Sequence, residues 1–262
     1  MKTILAIFLL ILAGVMTGKS QPNGRGGMSV RMADDVHSYA NPQQAKVTHV
    51  DLDWTVLFDQ KIIKGSATLN FQRPPDQVNA PLILDTRELT IEKVEASVNG
   101  TVFKPTTFQL GAVDKFLGAP LTIQLPPNAK RVRVFYSTSP NASGLQWLTP
   151  EQTAGKKQPF MFSQAQAIHA RSFIPLQDSP QIRITYSARV RTPKGLLAVM
   201  SAAGNSQTAA RNGDYRFLMS HPIPPYLIAI AVGDLKFQSL GKRTGVYTEP
   251  SMLASVTSPF FT

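Results

Sequence analysis

The sequence predicts an all-β protein: a saddle-like β-sandwich of mostly antiparallel strands, preceded by a helical signal peptide. Three observations carry this. Apolar residues recur at every second position in one segment after another, the period of a strand with a single buried face. Proline (20 residues) and glycine (17 residues) interrupt those segments again and again, at the spacing of about 8–12 residues that turns of a sandwich require. Beyond the first residues there is no internal repeat, no heptad run and no long stretch with helical periodicity.

The chain opens on Met1-Lys2-Thr3, an unbroken apolar run from Ile4 to Met16, and the small-x-small exit Gly18-Lys19-Ser20. A basic start, a short apolar core and small residues at the exit describe a secretory signal peptide over residues 1–20. The run is too short to span a hydrocarbon core, which needs about 20 residues, so no membrane span is expected once the signal is removed. Residues 21–36 are polar and read as a flexible lead-in, a character that continues towards Ala45.

The body of the fold is expected over residues 37–245. Val47–Phe58 alternates, with Val50, Leu52, Trp54, Val56 and Phe58 on one face and His49, Asp51, Asp53 and Thr55 on the other. A turn near Lys64-Gly65 would lead into Ala67, Leu69 and Phe71, giving an antiparallel pair. Leu82–Leu84 and Leu89–Val98 are further strands, with Asn99-Gly100 turning a hairpin into Thr101–Lys104. Leu121, Ile123 and Leu125 alternate, as do Val132, Val134 and Tyr136. Leu145–Gly155, holding Trp147, reads as a loop. After Asp178-Ser179-Pro180 the chain alternates again through Ile182, Ile184 and Tyr186. Leu196–Ser201, Tyr215–Met219 and a buried Tyr226–Val232 complete the set.

Formal net charge is +11, with 27 Lys and Arg against 16 Asp and Glu. The basic residues are scattered at alternate positions or in turns, as on a solvated face, and form no block interleaved with aromatics. Nucleic acid is therefore excluded as a partner. There is no cysteine, which rules out disulfides and thiolate chemistry. An exported chain of this kind points to the periplasm or secretion in a bacterium rather than to an animal secretory route.

Catalytic constellations are missing. The four histidines open as HSYAN, HVDLD, HARSF and HPIPP, so no His-Glu-x-x-His pair shares a helix face for zinc. No Gly-x-Ser-x-Gly elbow is present, and Gly24–Gly27 follows no strand. Asp51 and Asp53 read as solvated carboxylates. His169, between Ile168 and Ala170, reads as a satisfied core histidine. Gln164, Gln166 and Gln177 stand in an otherwise apolar run, where amides are costly unless hydrogen-bonded; they either brace the backbone or line a pocket.

The stretch SGLQWLTPEQTAGKKQPFMFSQAQAIHARSFIPLQDSP resembles the amino-terminal domain of the M1 family zinc aminopeptidases, of the leukotriene A-4 hydrolase and aminopeptidase N type. HSYANPQQAKVTHVDLDWTV, LDTRELTIEKV, PIPPYLIAIAVGDL and GKRTGVYTEPSML share the likeness, which runs from about His37 to about Leu253. The resemblance implies a β-rich domain that packs on a zinc-bearing catalytic domain and lends one strip to its substrate cleft. On that likeness Gln164, Gln166 and Ala167 contact the free amino end of a peptide substrate, in an unusual backbone with a cis bond between Gln166 and Ala167. His169 and Asp178 are carried over as scaffold.

Residues 246–262 would be the truncated start of the catalytic domain. The zinc helix and catalytic tyrosine of the family are not in this chain, so it is expected to hold no cofactor and to be inactive alone. The lost partner is expected to leave an exposed apolar patch near Tyr226–Val232 or Gln164–Arg171. The competing expectation is a free-standing, non-enzymatic peptide- or protein-binding module of the bacterial envelope.

Overall fold

Two long alternating segments set the frame. β1 (Lys46–Leu57) and β2 (Ile62–Gln72) pair antiparallel along almost their whole length. Their apolar alternation buries Val50, Leu52, Trp54, Val56, Ile63, Ala67 and Leu69 on one side. A computed structural model describes residues 35–209 and 211–256 of the protein; the expected signal peptide and most of the lead-in lie outside these residues.

The chain continues through β3 (Leu82–Thr86), β4 (Thr90–Ser97), β5 (Lys104–Pro105), β6 (Phe108–Leu110), β7 (Ala119–Ile123) and β8 (Arg131–Ser137). β9 (Leu145–Leu148), β10 (Phe160–Ser163), β11 (Ile184–Arg191), β12 (Leu197–Met200), β13 (Ala203–Gly204) and β14 (Asp214–Ile223) follow. β15 (Ile230–Gly233), β16 (Lys236–Ser239) and β17 (Gly245–Thr248) come last.

Among the described residues these strands form four sheets. The largest has eight strands in the order β13-β14-β11-β1-β2-β8-β4-β5. A four-stranded sheet runs β12-β15-β10-β9, a three-stranded one β3-β7-β6, and β16-β17 make a hairpin. All pairings are antiparallel except β1 with β11. The all-β expectation therefore holds.

The inner face of the large sheet and the two smaller sheets enclose one core. At its centre Trp54 donates its indole N–H to Tyr136 Oη at 2.8 Å, and Tyr136 donates in turn to the carbonyl of Phe173 at 2.9 Å. All three side chains are fully buried, and the relay satisfies polar atoms that would otherwise be costly there.

Four local expectations need correction. The first hairpin turns at Phe58–Lys61, where Lys61 N–H donates to Phe58 O at 3.1 Å and Lys61 sits at φ 53°. Lys64 and Gly65 lie inside β2: Gly65 pairs with Trp54, and a Cβ there would stand 1.9 Å from the Asp53 carbonyl. The glycine serves close strand approach, not a turn. Leu145–Leu148 is no loop but β9, paired with β10, its Trp147 packed edge-on against Phe58 at 5.5 Å. Tyr226 and Leu227 belong to a single 3-10 turn set up by Pro224 and Pro225, and the buried strand is only Ile230–Gly233. Residues 37–39, on the edge of the expected flexible lead-in, are tied down: Ser38 Oγ donates to Asp85 at 2.6 Å and Tyr39 N–H at 2.8 Å.

Candidate functional site

The glutamine-rich stretch leaves β10 at Ser163 and crosses to β11 without regular structure apart from one 3-10 turn, Ala170–Ser172. Gln164, Gln166 and Ala167 are exposed, while Ala165 between them is buried. The peptide bond between Gln166 and Ala167 is cis. Gln166 N–H donates to Gln164 Oε1 at 3.3 Å, so the two amides are neighbours on one ledge. Gln177 lies elsewhere and braces: fully buried, it donates to Ala45 O at 2.7 Å and accepts from Val47 N–H at 2.9 Å, fastening the start of β1.

The ledge is anchored from below. Gln164 N–H donates to Gly144 O at 2.9 Å, and His169 N–H donates to Ala165 O at 2.8 Å. Gly144 N–H donates to Ser172 Oγ at 2.8 Å, and that hydroxyl donates to His169 O at 2.7 Å. A Cβ on residue 144 would lie 2.6 Å from His169 O and 2.8 Å from Ser172 Oγ. Only glycine permits this approach.

His169 is half-buried rather than a core residue. Its Nδ1 accepts from Arg87 Nη1 at 3.1 Å and lies 2.8 Å from Ser143 Oγ. Burial, then the positive charges of Arg87 and Arg171, lower its pKa. The ring is therefore neutral, with Nδ1 the acceptor and the proton on Nε2. Arg87 also holds the carbonyl of Phe116. That places the tip of the β6–β7 hairpin beside the ledge, with Val113 and Phe116 82% and 71% exposed. At the expected Tyr226–Val232 rim the corresponding exposure is confined to Leu227 and Ala229.

Beneath His169 lies a buried ion cluster. Arg171, Asp85 and Asp178 are each at most 1% exposed. Arg171 Nε donates to Asp178 Oδ2 at 3.2 Å, and its guanidinium also reaches the carbonyls of Leu117 (2.9 Å), His37 (2.7 Å) and Asp178 (2.9 Å). Asp85 accepts from Ser38, Tyr39 and the Asp178 N–H. Burial pushes the Asp178 carboxyl up to about 6, against the pull of Arg171. Asp178 is thus a buried partner of Arg171, seven residues on. Arg87, Arg171, Asp85 and Gly144 had not been singled out from the sequence; a lone arginine in the run AIHARSFIPL, with an aspartate seven positions on, was the available signal.

The family's metal does not fit here. Among the described residues no three His, Asp or Glu side chains are placed to hold an ion. The nearest approach, His49 with Asp51 at 3.0 Å, is closed off by Arg131 on the same carboxylate. Neither Asp51 nor Asp53 is a free solvated carboxylate as expected: each is half-buried and ion-paired, with Arg131 and Arg191.

The described residues form an all-β fold with an exposed amide ledge above a buried arginine cluster, and sequence comparison gives its family. Residues 46–227 match the family described as the peptidase M1 N-terminal domain, and the chain belongs to it. It is 42% identical to leukotriene A-4 hydrolase of Xenopus laevis over 84% of this chain and 36% of that protein. It is 40% identical to leucine aminopeptidase 2 of Yarrowia lipolytica over 82% of this chain and 32% of the relative. The chain thus spans about a third of the length of these relatives. Yeast LTA4 hydrolase, solved in complex with bestatin, superposes with a TM-score of 0.76 at 34% identity over 86% of this chain and 34% of its own. An M1 zinc metallopeptidase of Deinococcus radiodurans shares the fold, with a TM-score of 0.56 at 23% identity over 79% of this chain and 48% of its own. No helix of the described residues is long and apolar enough to cross a membrane.

Proposed function

We propose that this chain supplies the substrate lip of an exported M1-type zinc aminopeptidase that removes amino-terminal residues from peptides. The observation that carries the reading is the exposed Gln164–Ala167 ledge on a rigid, buried base. An amide oxygen on that ledge is an acceptor for the ammonium of a peptide's amino end. Being uncharged, it orients the substrate without activating water. Water activation falls to a zinc-bearing domain, where three protein ligands and a metal-bound water are required. Export is supported by the basic start and short apolar run of residues 1–20. The peptidase relatives support the substrate class.

The test is a chimera. Residues 37–245 replace the matching segment of a leukotriene A-4 hydrolase relative, and hydrolysis of a tripeptide is followed with Gln166 intact and as Gln166→Ala. Loss of the contact raises KM about tenfold, the equivalent of roughly 1.4 kcal/mol. A chimera of full activity whose KM is indifferent to Gln166→Ala and Gln164→Ala would reject the lip.

A further inference from the structure

The outer face of the eight-stranded sheet carries its own cleft, independent of the ledge. It is a trough of about 910 Å³ across β14, β11, β1, β2 and β8. Its floor is low because β2 presents only Gly65, Ser66 and Thr68 there, opposite Asp53 and Asp51 of β1. Arginines rise on both sides: Arg131 and Arg133 on β8, Arg189 on β11 and Arg216 on β14. The basic positions that look scattered in sequence are gathered by the strand order.

Two of these four charges are already matched. Arg131 is held by Asp51, Asn70 and the Gly100 carbonyl. Arg189 pairs with Asp214, and Asp53 on the floor is taken by Arg191 from outside the lining. Two guanidiniums are left over. Arg133 spends only its Nε, on Thr68 Oγ1 at 3.2 Å, and is fixed by stacking over Phe103 at 3.9 Å. Arg216 is exposed, and while its backbone N–H donates to Asn205 Oδ1 at 2.9 Å, its guanidinium makes no hydrogen bond among the described residues. A preordered guanidinium with free Nη donors matches the paired oxygens of a phosphate or carboxylate. With four arginines against Asp51 and Asp53, the lining keeps a positive excess that favours such a ligand.

The two free arginines stand on opposite sides of the trough. Arg133 aligns with Thr68, Asp51 and Ser187 across the sheet, and Arg216 aligns with Arg189 and Asp53 one row along. Four strand spacings separate β8 from β14, about 19 Å between backbones. Long side chains narrow that span to one that an elongated molecule bridges and a single phosphate does not. We propose that this trough is a binding site for an elongated polyanion carrying oxyanion groups at both ends, gripped by Arg133 at one end and Arg216 at the other.

The probe is tripolyphosphate, titrated calorimetrically into the full chain at fixed ionic strength, with inorganic phosphate as the short comparison. The expected result is one site per chain, with inorganic phosphate at least tenfold weaker. Arg133→Gln with Arg216→Gln weakens tripolyphosphate at least tenfold. Lys242→Gln with Arg243→Gln removes the same charge from an exposed turn and changes affinity less than twofold. Arg216→Gln alone, which removes no side-chain hydrogen bond of the described residues, weakens binding at least threefold and keeps the test valid if Arg133→Gln misfolds. Equal loss in the turn variant, unchanged affinity in the groove variants, or no binding by the unaltered chain would each overturn the proposal.

Discussion

Replacing Arg171 by methionine tests the internal logic of the ledge most directly. The side chain is fully buried and donates to Asp178 and to three carbonyls, those of His37, Leu117 and Asp178. Methionine restores most of the volume but none of the donors. Asp178 and Asp85 are then left buried without a counter-charge. Removing one partner of a buried pair costs about 3–5 kcal/mol. For a domain of this size each kcal/mol lowers Tm by about 2–4 °C, so the expected drop is about 6–20 °C.

The assay is guanidinium unfolding followed by tryptophan fluorescence, since Trp54 is fully buried in the core. A loss of only about 1 kcal/mol, the worth of an exposed pair, would refute the reasoning. The pH dependence gives a second handle. Burial, opposed by Arg171, raises the Asp178 carboxyl to about 6, above its unfolded value of about 3.9. The folded state therefore holds an extra proton between those values. The associated stability is present below about 4 and is lost as pH rises through about 6. In Asp178→Asn that slope disappears; in Arg171→Met it moves to higher pH, because the opposing charge is gone.

Three further outcomes follow from particular contacts. Gly144→Ala forces a methyl group against His169 O and Ser172 Oγ, and thermal unfolding should register an overpacking loss of about 1–3 kcal/mol, with amide exchange quickened at Gln164–His169. Tyr136→Phe leaves the Trp54 indole N–H and the Phe173 carbonyl without a partner, a loss of about 1–3 kcal/mol in denaturant titration; an unchanged midpoint would contradict the relay. At Asp51 burial works against ionisation, but hydrogen bonds from His49 and Ser187 and the charges of His49 and Arg131 hold the carboxyl down to about 2. Its contribution is present above about 4 and is lost as pH falls towards about 2, a slope opposite in sign to that of Asp178 and absent in Asp51→Asn.

The fold was legible because its signal is local. Period-two alternation marked β1 and β8 within a residue or two and the start of β11, whose end lies beyond the marked alternation at Arg191, since each has one face on the core. What failed depended on partners distant in sequence. Gly65 looks like a turn residue until β1 lies against it. Leu145–Leu148 is too short to alternate convincingly and is a strand only because β10 pairs with it. Asp51 and Asp53 look solvated until β8 and β11 bring Arg131 and Arg191 beside them. The ledge was legible in kind, as amides misplaced in an apolar run, and the family likeness named its residues. Its foundations were not, because Arg87 and Asp85 reach it from β3 and the turn that follows it, some eighty residues away in the chain.

That foundation also explains why a charged cluster occupies the core beneath an uncharged ledge. A buried ion cluster is a poor stabiliser, since apolar residues of the same volume often serve as well or better. Its advantage is direction. A leucine at position 171 would pack in several orientations, whereas a guanidinium satisfied by Asp178 and three carbonyls has one. Through it the 37–39 segment, the β6–β7 hairpin and the 170–178 segment are fixed relative to one another. Arg87 carries that order upward by accepting no freedom of its own: its N–H is bound to Arg171 O, and its guanidinium to His169, Ser143 and Phe116. Two exposed glutamines could not hold a position by packing, because nothing covers them. Their placement is set by a backbone anchored on Gly144, His169 and Ser172, the last two flanking the segment that the buried arginine orders, which is why disturbing Arg171 should be felt at Gln166 before the fold itself is lost.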